Sequence, residues 1–241
     1  MKALTAQLKL ELALTLRNGE SLLLTLGIPV GILVFFSMVD VLPIDGDPVK
    51  YLAPGVLALA VLSTAFANLA IATGFDRSYG VLKRLGTTPL GRSRLVAAKV
   101  LSSLTILGIQ AVVIVGTAFA LGWAPELAPL PAIAAIVLAT VAFVGMALFL
   151  AGRLPALVNL AVSNAIFLAL LLFSGMVFPL KKLPIGMRHM AQALPSTALS
   201  EALHGAFTDG SVAGWVWPVL AVWAIVAVAL AITYFRWEPD R

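Results

Sequence analysis

The chain alternates between long stretches without any charged residue and shorter stretches that carry its charges. A transmembrane α-helix needs about 20 mainly apolar residues, and six of the uncharged stretches approach or exceed that length. The pattern therefore predicts an all-α membrane protein with six transmembrane helices, which we number spans 1 to 6. The six stretches are 21–39, 51–75, 100–125, 127–152, 154–180 and 210–235.

Span 1 is the shortest stretch and contains Gly27, Pro29 and Gly31. Proline removes a backbone hydrogen bond inside a helix, so this span is expected to bend. Two glycines four residues apart lie on one helix face, and this spacing lets another helix approach closely in lipid. Gly27 and Gly31 are therefore candidate helix-packing residues.

The composition agrees with a membrane location. Of the 241 residues, 61% are hydrophobic and 11% are charged, and the mean hydropathy is +1.04. A soluble domain of this size carries more charge on its surface, so that class is excluded. The chain has no cysteine, which excludes disulfides and thiolate metal sites. The net charge of +5 is explained by the segments that flank the spans, so we expect no nucleic-acid partner.

The sixteen Lys and Arg residues lie mainly on one side of the predicted membrane. Cytoplasmic segments carry an excess of these residues, so this bias places both termini and the 76–99 loop in the cytoplasm. The richer side carries Lys2, Lys9, Arg17, Arg77, Lys83, Arg84, Arg92, Arg94, Lys99, Arg153, Arg236 and Arg241, and the other side carries Lys50, Lys181, Lys182 and Arg188.

Residues 1–20 predict an interfacial amphipathic helix, with an unstructured tail as the alternative. Segment 8–16 alternates apolar and polar residues as a strand does. Its Leu, Ala, Lys and Glu residues are helix formers, however, and a leucine recurs every four residues. We expect these leucines to enter the lipid boundary and the basic residues to meet anionic headgroups. The leucines are Leu4, Leu8, Leu12 and Leu16.

The loop 76–99 contains the pattern of a short helix. Val81, Leu82 and Leu85 share an apolar face, and Gly86 together with Pro89 ends the run. A short helix held between two spans suits docking into a groove on another protein. The alternative is a basic loop that only keeps this segment in the cytoplasm. The residue pattern alone favours the two interpretations equally.

The segment 179–211 lies on the outer side and is too long for a simple connection. Two sets of apolar residues recur at helical spacing on either side of Pro195, with Ser196 as a candidate N-cap. They predict two short amphipathic helices that lie on the outer leaflet or re-enter the membrane. The first set is Leu183, Met187, Met190, Ala191 and Leu194, and the second is Leu199, Ala202, Leu203, Ala206 and Phe207.

The polar residues inside the spans are all neutral, which disfavours a proton-coupled carrier. Such residues usually join helices by hydrogen bonds, and substrate contact is the alternative. Asn159 and Asn164 in span 5 are the best candidates for substrate contact. The neutral polar set is Ser63, Thr64, Asn68, Gln110, Asn159, Ser163 and Asn164.

Motifs for catalysis and nucleotide binding are missing from the sequence. We interpret His189 and His204, the two histidines, as solvated loop residues rather than metal ligands. No lysine precedes Ser or Thr, so the GxxxxGK[ST] phosphate-binding loop is absent. We expect no enzymatic activity, no metal site and no cofactor bound by this chain.

Two stretches resemble the permease subunit of ABC-2 type exporters. The first stretch has an acidic residue, a glycine, leucines and Thr-Pro before a lysine. The family often has Glu at the acidic position, where this chain has Asp76. The second follows the pattern SG…FP…LP…LP…EAL. The first stretch comprises Asp76, Arg77, Gly80, Leu82, Leu85, Thr88, Pro89, Leu95 and Lys99, and the second Ser174-Gly175-Met176, Phe178-Pro179, Leu183-Pro184, Leu194-Pro195 and Glu201-Ala202-Leu203.

The resemblance extends over essentially the whole chain and implies one transmembrane domain, 1–241, that forms a dimer with a second copy or a related permease. It also implies a separate ABC ATPase subunit, two copies per complex, which binds ATP and Mg²⁺ and docks on a coupling helix in the 76–99 loop. The residues implied for coupling are Asp76, Arg77, Gly80, Leu82, Lys83, Arg84, Leu85 and Pro89. Those expected along a substrate pathway are Asn68, Asn159, Ser163 and Asn164.

The activity implied by the resemblance is export of a drug-like amphiphile or a lipid across the cell membrane of a prokaryote. Only 8% of the residues are aromatic. Aromatic rings stack on sugars, so this low content disfavours the first alternative, a lipid-linked glycan exporter. The second alternative is a membrane channel or scaffold that works without ATP.

Overall fold

The computed structural model describes residues 2–17, 19–39, 48–87, 91–126, 128–176, 180 and 184–237. These residues form eleven α-helices and contain no β-strand. In chain order, α1 to α11 are Lys2–Arg17, Gly19–Met38, Pro48–Leu62, Leu69–Ser78, Val81–Gly86, Arg92–Ala120, Pro129–Ala151, Ala156–Leu172, Ile185–Gln192, Pro195–His204 and Val216–Tyr234, and two π-helical segments are Ser63–Asn68 and Gly205–Asp209.

Among the described residues, four long apolar helices are able to cross a membrane by length and composition. The longest, Pro48–Ser78, joins α3 and α4 through the first π-helical segment, and α6, α7 and α11 are the other three. The apolar helices Thr25–Met38 and Ala156–Leu172 are shorter than these four. The predicted helical multi-pass architecture is confirmed, while the six-span arrangement stays a prediction.

Helix α7 lies at the centre of the bundle and packs against α11 along most of its length. A side chain at Gly145 would lie 2.7 Å from the backbone of Ala227, so the absence of a Cβ lets these helices approach closely. The residue pattern did not predict this contact. In α2, no described atom lies within 4 Å of a Cβ built at Gly31, and Gly27 is exposed. The predicted packing face of this helix therefore points away from the described part of the chain.

Helix α10 closes one end of the bundle, opposite to the end where α7 meets α8. The backbone N–H of Glu126 donates to Phe207 O and that of Ala128 donates to Ala206 O, both at 3.0 Å. Four members of the predicted apolar set, three in α10 and one in the second π-helical segment, are buried against the rest of the chain. They are Leu199, Ala202, Leu203 and Ala206.

The prediction for the outer helices needs correction in one detail, the N-cap. Ser196 is not an N-cap, because Leu194 occupies that position and Ser196 Oγ donates to Leu170 O at 2.9 Å. In α9, Met187 and Met190 are exposed and only Ala191 is buried, so the apolar face of this helix points away from the rest of the chain.

The N-terminal segment is a helix, as its composition predicted, and not a strand. Helix α1 packs against α6 and contacts the start of α2. Leu8 and Leu12 are half-buried, whereas Lys9 and Arg17 are exposed. Gln7 is buried and Leu10 is 46% exposed, however, so the interfacial position of this helix stays a prediction.

Candidate functional site

Arg77 joins the end of α4 to the turn between α7 and α8. Its guanidinium is buried, and Nη1 donates to Ala151 O at 2.9 Å and to Leu154 O at 3.4 Å. Arginine near a helix C-terminus satisfies carbonyls that have no partner within the helix. Arg77 therefore acts inside this chain and does not belong to its accessible surface.

Helix α5 follows directly and is held against the bundle on its inner side. Gly80 has a φ of 75°, a left-handed conformation that reverses the chain direction between α4 and α5. Leu82 is only 1% exposed and Leu85 packs against the core. A Cβ built at Gly86 would lie 3.1 Å from the ring of Trp237. The chain thus fixes both ends of this helix.

The outer face of α5 differs from the apolar face that the sequence predicted. Leu82 points into the protein, so only part of that face is accessible to another molecule. The accessible residues are instead Tyr79, which is 75% exposed, Val81, which is 43% exposed, and the exposed Lys83 and Arg84. We call these four residues the outer α5 surface. The residue pattern did not single out Tyr79, although an aromatic residue next to a turn glycine could have indicated an exposed contact residue.

A buried ion pair joins α1 to α6. Lys99 Nζ at the start of α6 lies 2.7 Å from Glu11 Oε1 of α1, and Gln7 Nε2 donates to the same carboxylate at 2.8 Å. Asp76 is half-buried at the end of α4. Glu11 was missed by the sequence analysis, although it is the one acidic residue in α1. Pro89, predicted to end the coupling helix, lies outside the described residues.

The four candidate pathway residues fall into two groups. Asn159 and Ser163 are buried: Asn159 Nδ2 donates to Ala70 O at 2.7 Å, and Ser163 Oγ donates to Asn159 Oδ1 at 3.3 Å. The first bond joins α8 to α4, and the second lies within α8 and holds the Asn159 side chain in place. Asn68 and Asn164 are exposed on the described chain, where their amides are accessible to another molecule.

A second buried polar group joins three helices. Gln110 Oε1 accepts a hydrogen bond from Thr64 Oγ1 at 3.1 Å, and Gln110 Nε2 donates to Thr25 O at 3.0 Å. These contacts connect α6 with α2 and with the first π-helical segment. Thr64 and Gln110 thus have the helix-joining role that is usual for neutral polar residues in lipid.

The outer signature forms a turn that contacts α3. Gly175 has a φ of 74°, and its carbonyl accepts a hydrogen bond from Tyr51 Oη at 2.6 Å. His204 is not a solvated loop residue, because its Nδ1 lies 2.8 Å from Ser200 O and its Nε2 lies 3.0 Å from Tyr51 O. The parts of the signature at Phe178, Pro179 and Leu183 lie outside the described residues.

The apolar helices and the polar contacts between them indicate the class of this protein. Within the ranges that the structure describes, no three His, Asp or Glu side chains come together as a metal site. Several long apolar helices joined by buried neutral polar contacts are features of a multi-pass membrane protein.

The family follows from comparison with known proteins. The sequence model of the family described as ABC-2 type transporter matches residues 2–208. This match covers most of the chain, so the chain belongs to the ABC-2 type transporter family. No curated protein matches the chain.

Proposed function

We propose that this chain is the permease subunit of an ABC exporter and receives a separate ATP-binding subunit on the outer α5 surface. One observation carries the proposal: α5 is fixed to the bundle through Leu82 and Gly86 while Tyr79 and Val81 point outward. A short helix with a rigid base and an accessible mixed face suits docking into a groove on a partner.

The contacts behind α5 provide a route for movement into the membrane. Arg77 joins α4 to the turn between α7 and α8, and the Glu11–Lys99 pair joins α1 to α6. Closure of two ATP-loaded partner subunits would push on α5 and shift the spans between inward-open and outward-open states. Such a shift requires the partner to bind the two states with different affinity.

A second permease copy, or a related permease, would complete the substrate pathway. Asn68 and Asn164 are exposed on the helices that carry them, and α8 packs against both α4 and the first π-helical segment. We propose that these two amides face the pathway at the dimer interface, while Asn159 and Ser163 support it from inside the chain. The face with Gly27 and Gly31 is available for close approach of the second copy.

The proposed arrangement has six spans, with α2 and α8 added to the four longer helices. Both termini and α5 lie in the cytoplasm of a prokaryotic cell, as the distribution of Lys and Arg favours. The substrate is an amphiphilic or hydrophobic molecule, drug-like or lipid. Neutral amides on otherwise apolar helices suit such a molecule.

Co-purification tests the docking step. The tagged chain is purified in mild detergent from its native host, and mass spectrometry identifies any stoichiometric subunit with an ATP-binding motif. Val81→Asp and Arg84→Glu should remove this subunit without unfolding the permease, because both side chains are exposed. Met190→Asp, exposed in α9, is the matched control. Purification without an ATPase would contradict the exporter proposal and favour an ATP-independent channel or scaffold.

Transport in vesicles tests the substrate class. Permease and ATPase are reconstituted together, and ATP-dependent movement of a fluorescent amphiphile, a labelled phospholipid and a lipid-linked glycan is compared. We expect movement of the amphiphile or the phospholipid. Movement of the glycan alone would replace the proposed substrate by the glycan alternative.

A further inference from the structure

A lateral groove lies between α3, α6 and α7, far from the α5 end of the bundle. It encloses about 210 Å³. Leu57 and Val61 of α3 are buried and form its floor, and Ile133 and Val137 of α7 are 58% and 38% exposed at its rim. Its opposite wall is formed by Gly108 and Ala111 of α6.

The groove offers almost no polar contact to an occupant. Gln110 borders it, but the oxygen and the nitrogen of this amide are engaged with Thr64 and with Thr25 O. The remaining lining is aliphatic or glycine. Apolar spaces of about 150 Å³ stay dry and accept apolar molecules, so water is a poor occupant of this larger space.

The position of the groove points to lipid. Its walls belong to three helices that are long and apolar enough to cross a membrane, and its residues lie several turns from the ends of α6. The exposed rim at Ile133 and Val137 opens it sideways, where the neighbours of a transmembrane helix are acyl chains. The space is below the roughly 300–1,000 Å³ of pockets that enclose a drug-sized molecule. A single chain segment fits it better than a whole substrate.

We propose that this groove binds one acyl chain of a membrane phospholipid, and that this lipid is a structural ligand separate from the transported substrate. The bound chain fills the space between α6 and α7 above the floor formed by α3. It supplies dispersion contacts that the lining residues otherwise lack. The site does not depend on ATP or on the docking of a partner.

Photolabelling tests the site on the full chain. The purified protein is placed in phosphatidylcholine vesicles that contain a fraction of lipid with a mid-chain diazirine, irradiated, digested and mapped by mass spectrometry. We expect labelling of Gly108, Ala111 and Val137 to exceed that of the outward-facing Val112 and Ile225 by about fivefold, which corresponds to a preference of about 1 kcal/mol for the groove. Val112 and Ile225 are the controls because both are strongly exposed.

A pair of glycine variants tests occupancy. A Cβ at Gly108 or at Gly116 meets no described atom within 4 Å, so the helix tolerates a side chain at both positions. Gly108→Leu should fill the groove and lower labelling of Ala111 and Val137 about fivefold, to the level of passing lipid. Gly116→Leu, on the same helix but outside the lining, should leave labelling unchanged.

Three outcomes would overturn the proposal. They are equal labelling of all outward-facing positions, unchanged labelling in Gly108→Leu, and groove labelling below that of Val112. The last result means that a second protein copy covers the groove. If Gly108→Leu does not fold, the labelling map of the unmodified chain decides alone.

Discussion

Glu11 of α1 and Lys99 of α6 form an ion pair that is largely withdrawn from solvent. Lys99 Nζ lies 2.7 Å from one carboxylate oxygen and 2.8 Å from the other, and the side chains are 4% and 15% exposed for Lys99 and Glu11. Removing one member of a buried pair leaves an uncompensated charge, which costs more than replacing both members. The pair therefore fixes the N-terminal helix against the bundle.

Substitution of one member of this pair should lower stability. Glu11→Gln is expected to destabilise the fold by about 3 kcal/mol, because the Lys99 ammonium stays buried without its carboxylate. The double variant Glu11→Gln with Lys99→Met should lose less than the sum of the single losses. Unfolding in detergent measures the effect, with the exposed Lys9→Met as control. Equal losses for Lys9→Met and Glu11→Gln would show that the pair contributes nothing specific.

Arg77 is expected to transmit movement rather than to bind the ATPase. Arg77→Lys loses the planar guanidinium that reaches Ala151 O and Leu154 O, at a cost of about 1–3 kcal/mol in stability. The variant should still co-purify with the ATPase, and ATP hydrolysis should continue while transport falls. Loss of the ATPase from a folded Arg77→Lys permease would instead give Arg77 a direct docking role.

The two asparagines of α8 should respond differently to substitution. Asn159→Leu removes the bond to Ala70 O, and hydrogen bonds between helices in lipid contribute about 0.6 kcal/mol on average and up to about 1.7 kcal/mol. Asn164→Leu should leave stability unchanged because the side chain is exposed, but it should change the relative transport rates of different amphiphiles. Unfolding and vesicle transport are measured for both variants. An Asn164→Leu permease with unaltered substrate preference would remove Asn164 from the pathway.

Gly145 and Gly31 provide a matched test of helix packing. Gly145→Ala forces a Cβ against the backbone of Ala227 and Val228, and overpacking of this kind costs about 1–3 kcal/mol. Gly31→Ala meets open space in the described chain and should leave the stability of the monomer unchanged. Thermal unfolding separates the two effects, and crosslinking between chains reports whether Gly31→Ala weakens a dimer. Equal destabilisation by both substitutions would contradict the packing described for α7 and α11.

The predicted coupling segment shows which features a residue pattern can predict and which it cannot. The run from Val81 to Leu85 predicted a short helix. The structure has a helix from Val81 to Gly86, preceded by the turn at Gly80. Which of its apolar residues faces the protein was not predictable, because Val81 and Leu82 are chemically alike. Leu82 is buried as a member of the hydrophobic core, whereas Val81 is exposed.

The sequence by itself determined the apolar helices, the basic segments between them and the family signatures, because hydropathy and local propensity act within a few residues of each other. Only the tertiary structure decided that Asn159 is buried and Asn164 exposed, that Gly145 rather than Gly31 contacts a neighbouring helix, and that His204 contacts α3. The physical reason is that lipid-facing and protein-facing surfaces of these helices are both apolar. The composition of a helix therefore does not reveal which of its sides faces the protein. Packing against residues distant in sequence decides this.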